Sequence, residues 1–106
     1  MQGFQKVAGR GDIKAGTLML VEAQGEPIVL TELGGQVIAF SNVCSHEACD
    51  FVFEGQGSLE EDEITCDCHG SRFNVRDGSV QNPPATTPIT IYAVRLEGND
   101  VLVGPR

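Results

Sequence analysis

Short apolar runs broken by glycine, asparagine and aspartate recur along the whole chain, and none keeps a helical period. Phe4 to Val7 reads as a first strand, and Thr17 to Glu22 as a second. Gln24-Gly25 turns that strand toward Pro27 to Glu32. Gly34-Gly35 follows as a two-residue hairpin turn, and Gln36 to Phe40 runs back. Ile64-Thr65 and Arg72 to Val75 are shorter candidates. Ile89 to Leu96 alternates over a long strand, Gly98-Asn99-Asp100 turns it, and Val101 to Val103 closes the chain. The pattern predicts an all-β single domain. Strands near both ends flank the middle of the chain, so residues 1–42 and 85–106 are expected to pair into one base that carries residues 43–84.

Several stretches have bland readings. Arg10-Gly11-Asp12 lies next to Gly9 and serves to turn the chain. Gly34-Gly35 is not followed by a helical pattern that could offer a phosphate its N-terminal dipole. Glu60 to Glu63 lacks the glycines and the alternating spacing of a calcium loop, and reads as a solvated acidic turn. Phe51, Val52 and Phe53 are expected to pack together beneath the middle segment. Pro83-Pro84 cannot donate ladder hydrogen bonds and marks a boundary or a rigid loop.

Composition narrows the function classes. At 106 residues with 13 glycines and no tryptophan, the chain has room for one modest core. No apolar run approaches the roughly 20 residues that span a bilayer. The start, Met1-Gln2-Gly3-Phe4-Gln5-Lys6, lacks the basic flank and apolar centre of a secretory signal. A soluble, cytoplasmic protein without a membrane anchor is the expectation. The net charge of −8 argues against nucleic acid and anionic lipid as partners. It suits a partner protein with a basic docking face, and it equally suits plain solubility.

The chemistry is concentrated in two places. All four cysteines and both histidines fall in Cys44-Ser45-His46-Glu47-Ala48-Cys49 and Cys66-Asp67-Cys68-His69-Gly70-Ser71. Each segment offers a cysteine–histidine pair at chelating distance, Cys44 with His46 and Cys66 with His69. Each also holds one cysteine, Cys49 or Cys68, that these pairs do not need. Structural zinc is the natural competitor, but zinc fingers commonly group two cysteines and then two histidines. Two loops that each supply one thiolate and one imidazole match the ligand set of a Rieske [2Fe–2S] centre, in which two cysteines hold one iron and two histidines the other. Two thiolates leave an oxidised core of charge about +2 neutral, whereas four leave it at about −2. Reduction is therefore easier, and such centres lie at roughly −150 to +300 mV against about −400 mV for plant-type ferredoxins.

On these residues the chain resembles the Rieske family. Its length and layout are similar to the small Rieske ferredoxins that feed electrons to aromatic-ring oxygenases. The loops themselves look more like those of cytochrome bc Rieske subunits, which read Cys-Thr-His-Leu-Gly-Cys and Cys-Pro-Cys-His-Gly-Ser. The resemblance implies an antiparallel β-sandwich or barrel base with a small cluster-binding subdomain. It implies one [2Fe–2S] cluster on Cys44, His46, Cys66 and His69, and a disulfide between Cys49 and Cys68. It also places Ser71 where high-potential members donate a hydroxyl to a bridging sulfide, and Phe73 where they carry a tyrosine. Glu47, Asp50 and Asp67 make the tip of the loops acidic, unlike the apolar tip that a membrane quinone pocket wants.

The function implied is one-electron transfer between a reductase and an oxygenase or other soluble redox enzyme, with no bond chemistry of its own. The alternative is a Rieske subunit bound permanently to an oxidoreductase of the molybdenum oxidase or nitrite reductase type. A zinc or disulfide structural module is the remote one.

Overall fold

The computed structural model describes residues 2–45, 49–53, 57–68 and 70–106, and among them there are ten strands and no α-helix. The strands are β1 (Gln5–Gly9), β2 (Met19–Ala23), β3 (Glu26–Leu33), β4 (Gln36–Ser41), β5 (Ser58–Glu60), β6 (Glu63–Thr65), β7 (Arg72–Asn74), β8 (Val80–Asn82), β9 (Ile91–Glu97) and β10 (Asp100–Gly104). The all-β expectation holds, and no helix of the described chain is long and apolar enough to cross a membrane.

Six strands form one sheet in the order β1-β10-β9-β4-β3-β2, and its two outer strands approach each other, so the sheet curls almost into a barrel. The other four form a small sheet in the order β5-β6-β7-β8. Every strand pair in both sheets is antiparallel. Two hairpins follow directly from the sequence. Ala23 pairs with Glu26 across Gln24-Gly25, and Leu33 pairs with Gln36 across Gly34-Gly35. All four turn residues have positive φ, the condition a tight hairpin matched to strand twist imposes.

The continuous apolar runs of β3 and β4 have a specific cause: both strands are buried on both faces. Ile28, Leu30, Val37 and Ala39 point into the barrel with Ala23, Tyr92, Val101 and Val103. The residues between them, Val29, Ile38 and Phe40, point the other way, into a second core with Phe51, Val52, Ile64, Phe73 and Val75. That second core joins the outside of the barrel to the small sheet. Phe51 meets Phe40 and Phe73 edge-on, with ring centroids 6.2 and 5.6 Å apart, an arrangement the aromatic quadrupole favours. At Gly78 (φ +83°), the chain turns so close to Ile89 that an added Cβ would collide with its carbonyl oxygen. Only glycine fits there.

Three expectations are corrected. Phe53 does not pack beneath the middle segment: Phe51 and Val52 are buried, but Phe53 is 67% exposed. The long final hairpin starts its ladder at Ile91 rather than Ile89, although Thr90 still accepts a bond from the Ser41 amide at 2.9 Å. The acidic turn is a β5–β6 hairpin in which Glu61 has φ +53°, and Asp62 is not merely solvated, because Arg76 Nε lies 3.1 Å from its carboxylate. Arg10–Asp12 is a single 3-10 turn, as expected of a piece that only redirects the chain.

The sole tyrosine yields a test of the barrel core. Tyr92 is buried and donates its phenolic proton to Glu26 Oε1 at 2.8 Å. Burial first, then the bond to Glu26 and its negative charge, hold this phenol well above its ordinary value of 10.0. The unfolded chain ionises where the folded one resists, so this contribution is intact below about pH 10 and is lost as the pH rises above it. Urea midpoints measured from about pH 8 to about pH 11 should fall over the upper part of that range in the parent, and Tyr92→Phe should flatten the fall.

Candidate metal centre

Both cysteine-bearing loops rise from strand ends and are closed at their bases by the backbone. In the first, the Cys44 amide donates to the Cys49 carbonyl at 2.8 Å, and Val43 and Asp50 form an antiparallel bridge. In the second, the Cys66 amide donates to the Ser71 carbonyl and the Gly70 amide to the Cys66 carbonyl, each at 2.8 Å. Gly70 sits at φ +79°, which lets the chain reverse within this short loop.

One buried side chain organises the first loop. Asn42, 1% exposed, accepts the Val52 amide at 2.7 Å and donates Nδ2 to the Val52 carbonyl at 3.1 Å, while its own carbonyl accepts the Phe51 amide at 2.9 Å. Its amide is in turn spent on the Pro27 carbonyl. Asn42 thus pins the far end of the loop back onto the strand that launches it. The sequence reading passed over this residue. The signal available was an asparagine, which readily bonds nearby backbone, immediately after an apolar strand and before a cysteine loop.

The two loops are joined. Cys49 and Cys68 form a disulfide, as the resemblance implied. Cys44 and Cys66 stay outside it, both buried in the second core beside Phe51, Ile64 and Phe73. The sulfurs of Cys49, Cys66 and Cys68 lie within 4.8 Å of one another, but they cannot form a three-thiolate zinc site while two of them are oxidised. The thiols left are Cys44 and Cys66, one per loop. His46 and His69 lie outside the described residues, as do Glu47 and Ala48. The donor set that remains, two thiols with two imidazoles to follow in sequence, fits a mixed sulfur and nitrogen centre and not a four-cysteine one.

Ser71 is fully buried, and its Oγ accepts the Ala85 amide at 3.0 Å, which leaves the hydroxyl proton available for donation. A third segment closes around the second loop here. Asn82 Nδ2 donates to the carbonyls of Gly70 (3.1 Å) and Pro83 (3.2 Å), so the Pro83-Pro84 loop is tied to the cysteine loop. Ser45 Oγ likewise donates to the Thr87 carbonyl. Phe73, the position where a tyrosine would carry a hydroxyl, is wholly buried against Phe51.

Residues 3–93 match the protein-family model described as the Rieske [2Fe–2S] domain. The chain belongs to this family. Among curated Rieske proteins it is 37% identical over 98 residues to the ferredoxin component of biphenyl 2,3-dioxygenase from Rhodococcus jostii (strain RHA1), a match spanning 92% of this chain and 89% of that one. Among solved Rieske structures, the ferredoxin of carbazole 1,9a-dioxygenase from Nocardioides aromaticivorans IC177 superposes with a TM-score of 0.86 at 29% identity, covering 99% of this chain and 100% of that one. A chain from the complex of reduced oxygenase and oxidized ferredoxin in carbazole 1,9a-dioxygenase gives 0.84 at 30% identity, covering 97% and 94%. The Rieske fold here carries the iron–sulfur domain with a disulfide across its two cysteine loops.

The disulfide closes a sequence separation of 19 residues, which in the chain-entropy account stabilises the folded state by about 3 kcal/mol. Replacing Cys49 and Cys68 together by serine should lower the unfolding free energy by about that amount, read from urea denaturation of parent and variant under non-reducing conditions. An unchanged stability would show that Asn42 and the second core already hold the loops together.

Proposed function

We propose that this protein is a one-electron carrier that takes electrons from a reductase and passes them to a terminal oxygenase. The observation that carries the reading is the pair of buried thiols, Cys44 and Cys66, one on each of two loops that the Cys49–Cys68 disulfide clasps together. With His46 and His69 they would hold a [2Fe–2S] cluster, which when bound supplies reversible one-electron redox chemistry. The chain spans nearly the whole length of ferredoxin relatives, which supports the carrier reading. In this reading residues 1–42 and 85–106 are the support, and residues 43–84 are the cluster-binding part.

The protein's own groups set how the site behaves. The apolar floor of Phe51, Ile64 and Phe73 excludes water from Cys44 and Cys66 and keeps the local dielectric low. Ser71 holds its proton at Oγ, fixed in place by the Ala85 amide, where donation toward the site favours the more negative, reduced state. The exposed carboxylates Asp50 and Asp67 oppose added negative charge and draw basic partners.

Two measurements test this. Purified protein should contain about two irons and two sulfides per chain, with a reduced EPR signal averaging below g = 2. Bound zinc and no such signal would end the electron-transfer reading. Separately, Ser71→Ala should lower the midpoint potential in an EPR-monitored titration, and it should also destabilise the fold by about 1–3 kcal/mol because the Ala85 amide loses its partner. A lower stability with an unmoved potential would assign Ser71 to the loop alone.

A further inference from the structure

The exposure of Phe53 is a feature that the two cysteine loops do not account for. Among the described residues only Leu20, Phe53 and Leu96 are exposed large hydrophobics, and Phe53 is the most exposed of them. It is also differently placed. Phe53 lines an open concavity of about 540 Å³ together with Cys49, Asp50, Phe51, Asp67 and Cys68. Its lining among the described residues is thus two phenylalanines, the two cysteines of the disulfide and two aspartates. Neither Asp50 nor Asp67 has an ion-pair partner among the described residues, and Asp67 is held by the Ser58 hydroxyl at 3.2 Å. The concavity adjoins the buried site directly, because the disulfide sulfurs lie within 4.8 Å of Cys66 Sγ.

An isolated exposed apolar side chain needs no explanation. A phenylalanine that shares a concave surface with a disulfide and with carboxylates lacking an ion-pair partner among the described residues, one sulfur removed from the buried Cys66, has the makings of an interface centre. Aromatic anchors dominate the energetics of protein contacts, and charges around them mainly govern encounter rate. Folding gains nothing from leaving Phe53 in water, since the adjacent Phe51 and Val52 are buried.

We propose that Phe53 and the Cys49–Cys68 disulfide form the apolar anchor of the redox-partner interface, and that Asp50 and Asp67 form its acidic rim. The partner it fits is a redox protein that presents an apolar contact ringed by lysine or arginine. The inference rests on the electron-carrier reading above and adds which edge of the loops meets the partner. It also divides the labour: the carboxylates steer and are screened by salt, whereas Phe53 acts after contact and is not.

The test is stopped-flow oxidation of the reduced holoprotein by cytochrome c, a basic one-electron acceptor with an apolar haem edge, at low and high salt. Asp50→Asn with Asp67→Asn should slow the reaction at low salt and flatten its salt dependence. Phe53→Ala should slow it by about tenfold at high salt, where steering is screened, and Phe53→Leu should recover most of the loss. Midpoint potential and EPR spectrum should be the same in the parent and both Phe53 variants, since a change there would assign Phe53 to the cluster's environment and overturn the docking role. A Phe53→Ala rate within a factor of two of the parent at both salts would also overturn the anchor. If the parent carries no cluster signal, the carrier reading itself falls, a result distinct from a silent Phe53.

Discussion

The structure depends on β3 and β4 serving as one wall between two cores. Most antiparallel sheets bury one face and wet the other, so their strands alternate apolar and polar residues. Here Ile28, Leu30, Val37 and Ala39 fill the barrel while Val29, Ile38 and Phe40 support the small sheet. Register is correspondingly severe. A slip of one residue in β4 would exchange the contents of both cores at once, where in a one-sided sheet it would spoil only one. This shared wall fixes the small sheet, and through it the cysteine loops, against a rigid support. Side-chain geometry at a metal centre needs that kind of backing.

From the wall to the site the chain of cause is short. Phe40 packs on Phe51, Phe51 on Phe73, and Cys44 and Cys66 are buried in the same cluster. The polar groups that this burial encloses are paired: Asn42 spends both ends of its side chain on Val52, and the Ser71 hydroxyl accepts the Ala85 amide. Unpaired, each would cost on the order of 1–3 kcal/mol. The buried network therefore shapes the loops as well as stabilising them. Asn42 decides where the first loop ends, and Ser71 ties the second loop to the segment after Pro84.

Much of this was legible in the chain, and the reasons differ by element. Gln24-Gly25 and Gly34-Gly35 could be placed because a two-residue hairpin demands positive φ, and glycine between apolar runs advertises it. The clustering of every cysteine and histidine into two segments makes the family legible in the chain itself. β5 and β8 were missed because Ser58–Glu60 and Val80–Asn82 are three residues long and mostly polar. Their membership is decided by ladder partners on β6 and β7 rather than by their own pattern. Phe53 was misplaced because an aromatic beside Phe51 and Val52 reads as core. What sequence cannot supply there is the direction of its side chain, which the loop sets.

The crowding of sulfur around Cys66 has a consequence for how the molecule is made. Three thiols brought within 4.8 Å can join in more than one pairing, and exchange among neighbouring sulfurs is readily catalysed by whichever one is ionised. On the proposed ligand set, only the Cys49–Cys68 pairing would leave Cys66 for a metal, and a bond from Cys66 to either neighbour would forfeit the centre. On that set, oxidation and metal loading would compete for the same atom. A chain whose Cys66 had already bound iron would have its disulfide chosen for it.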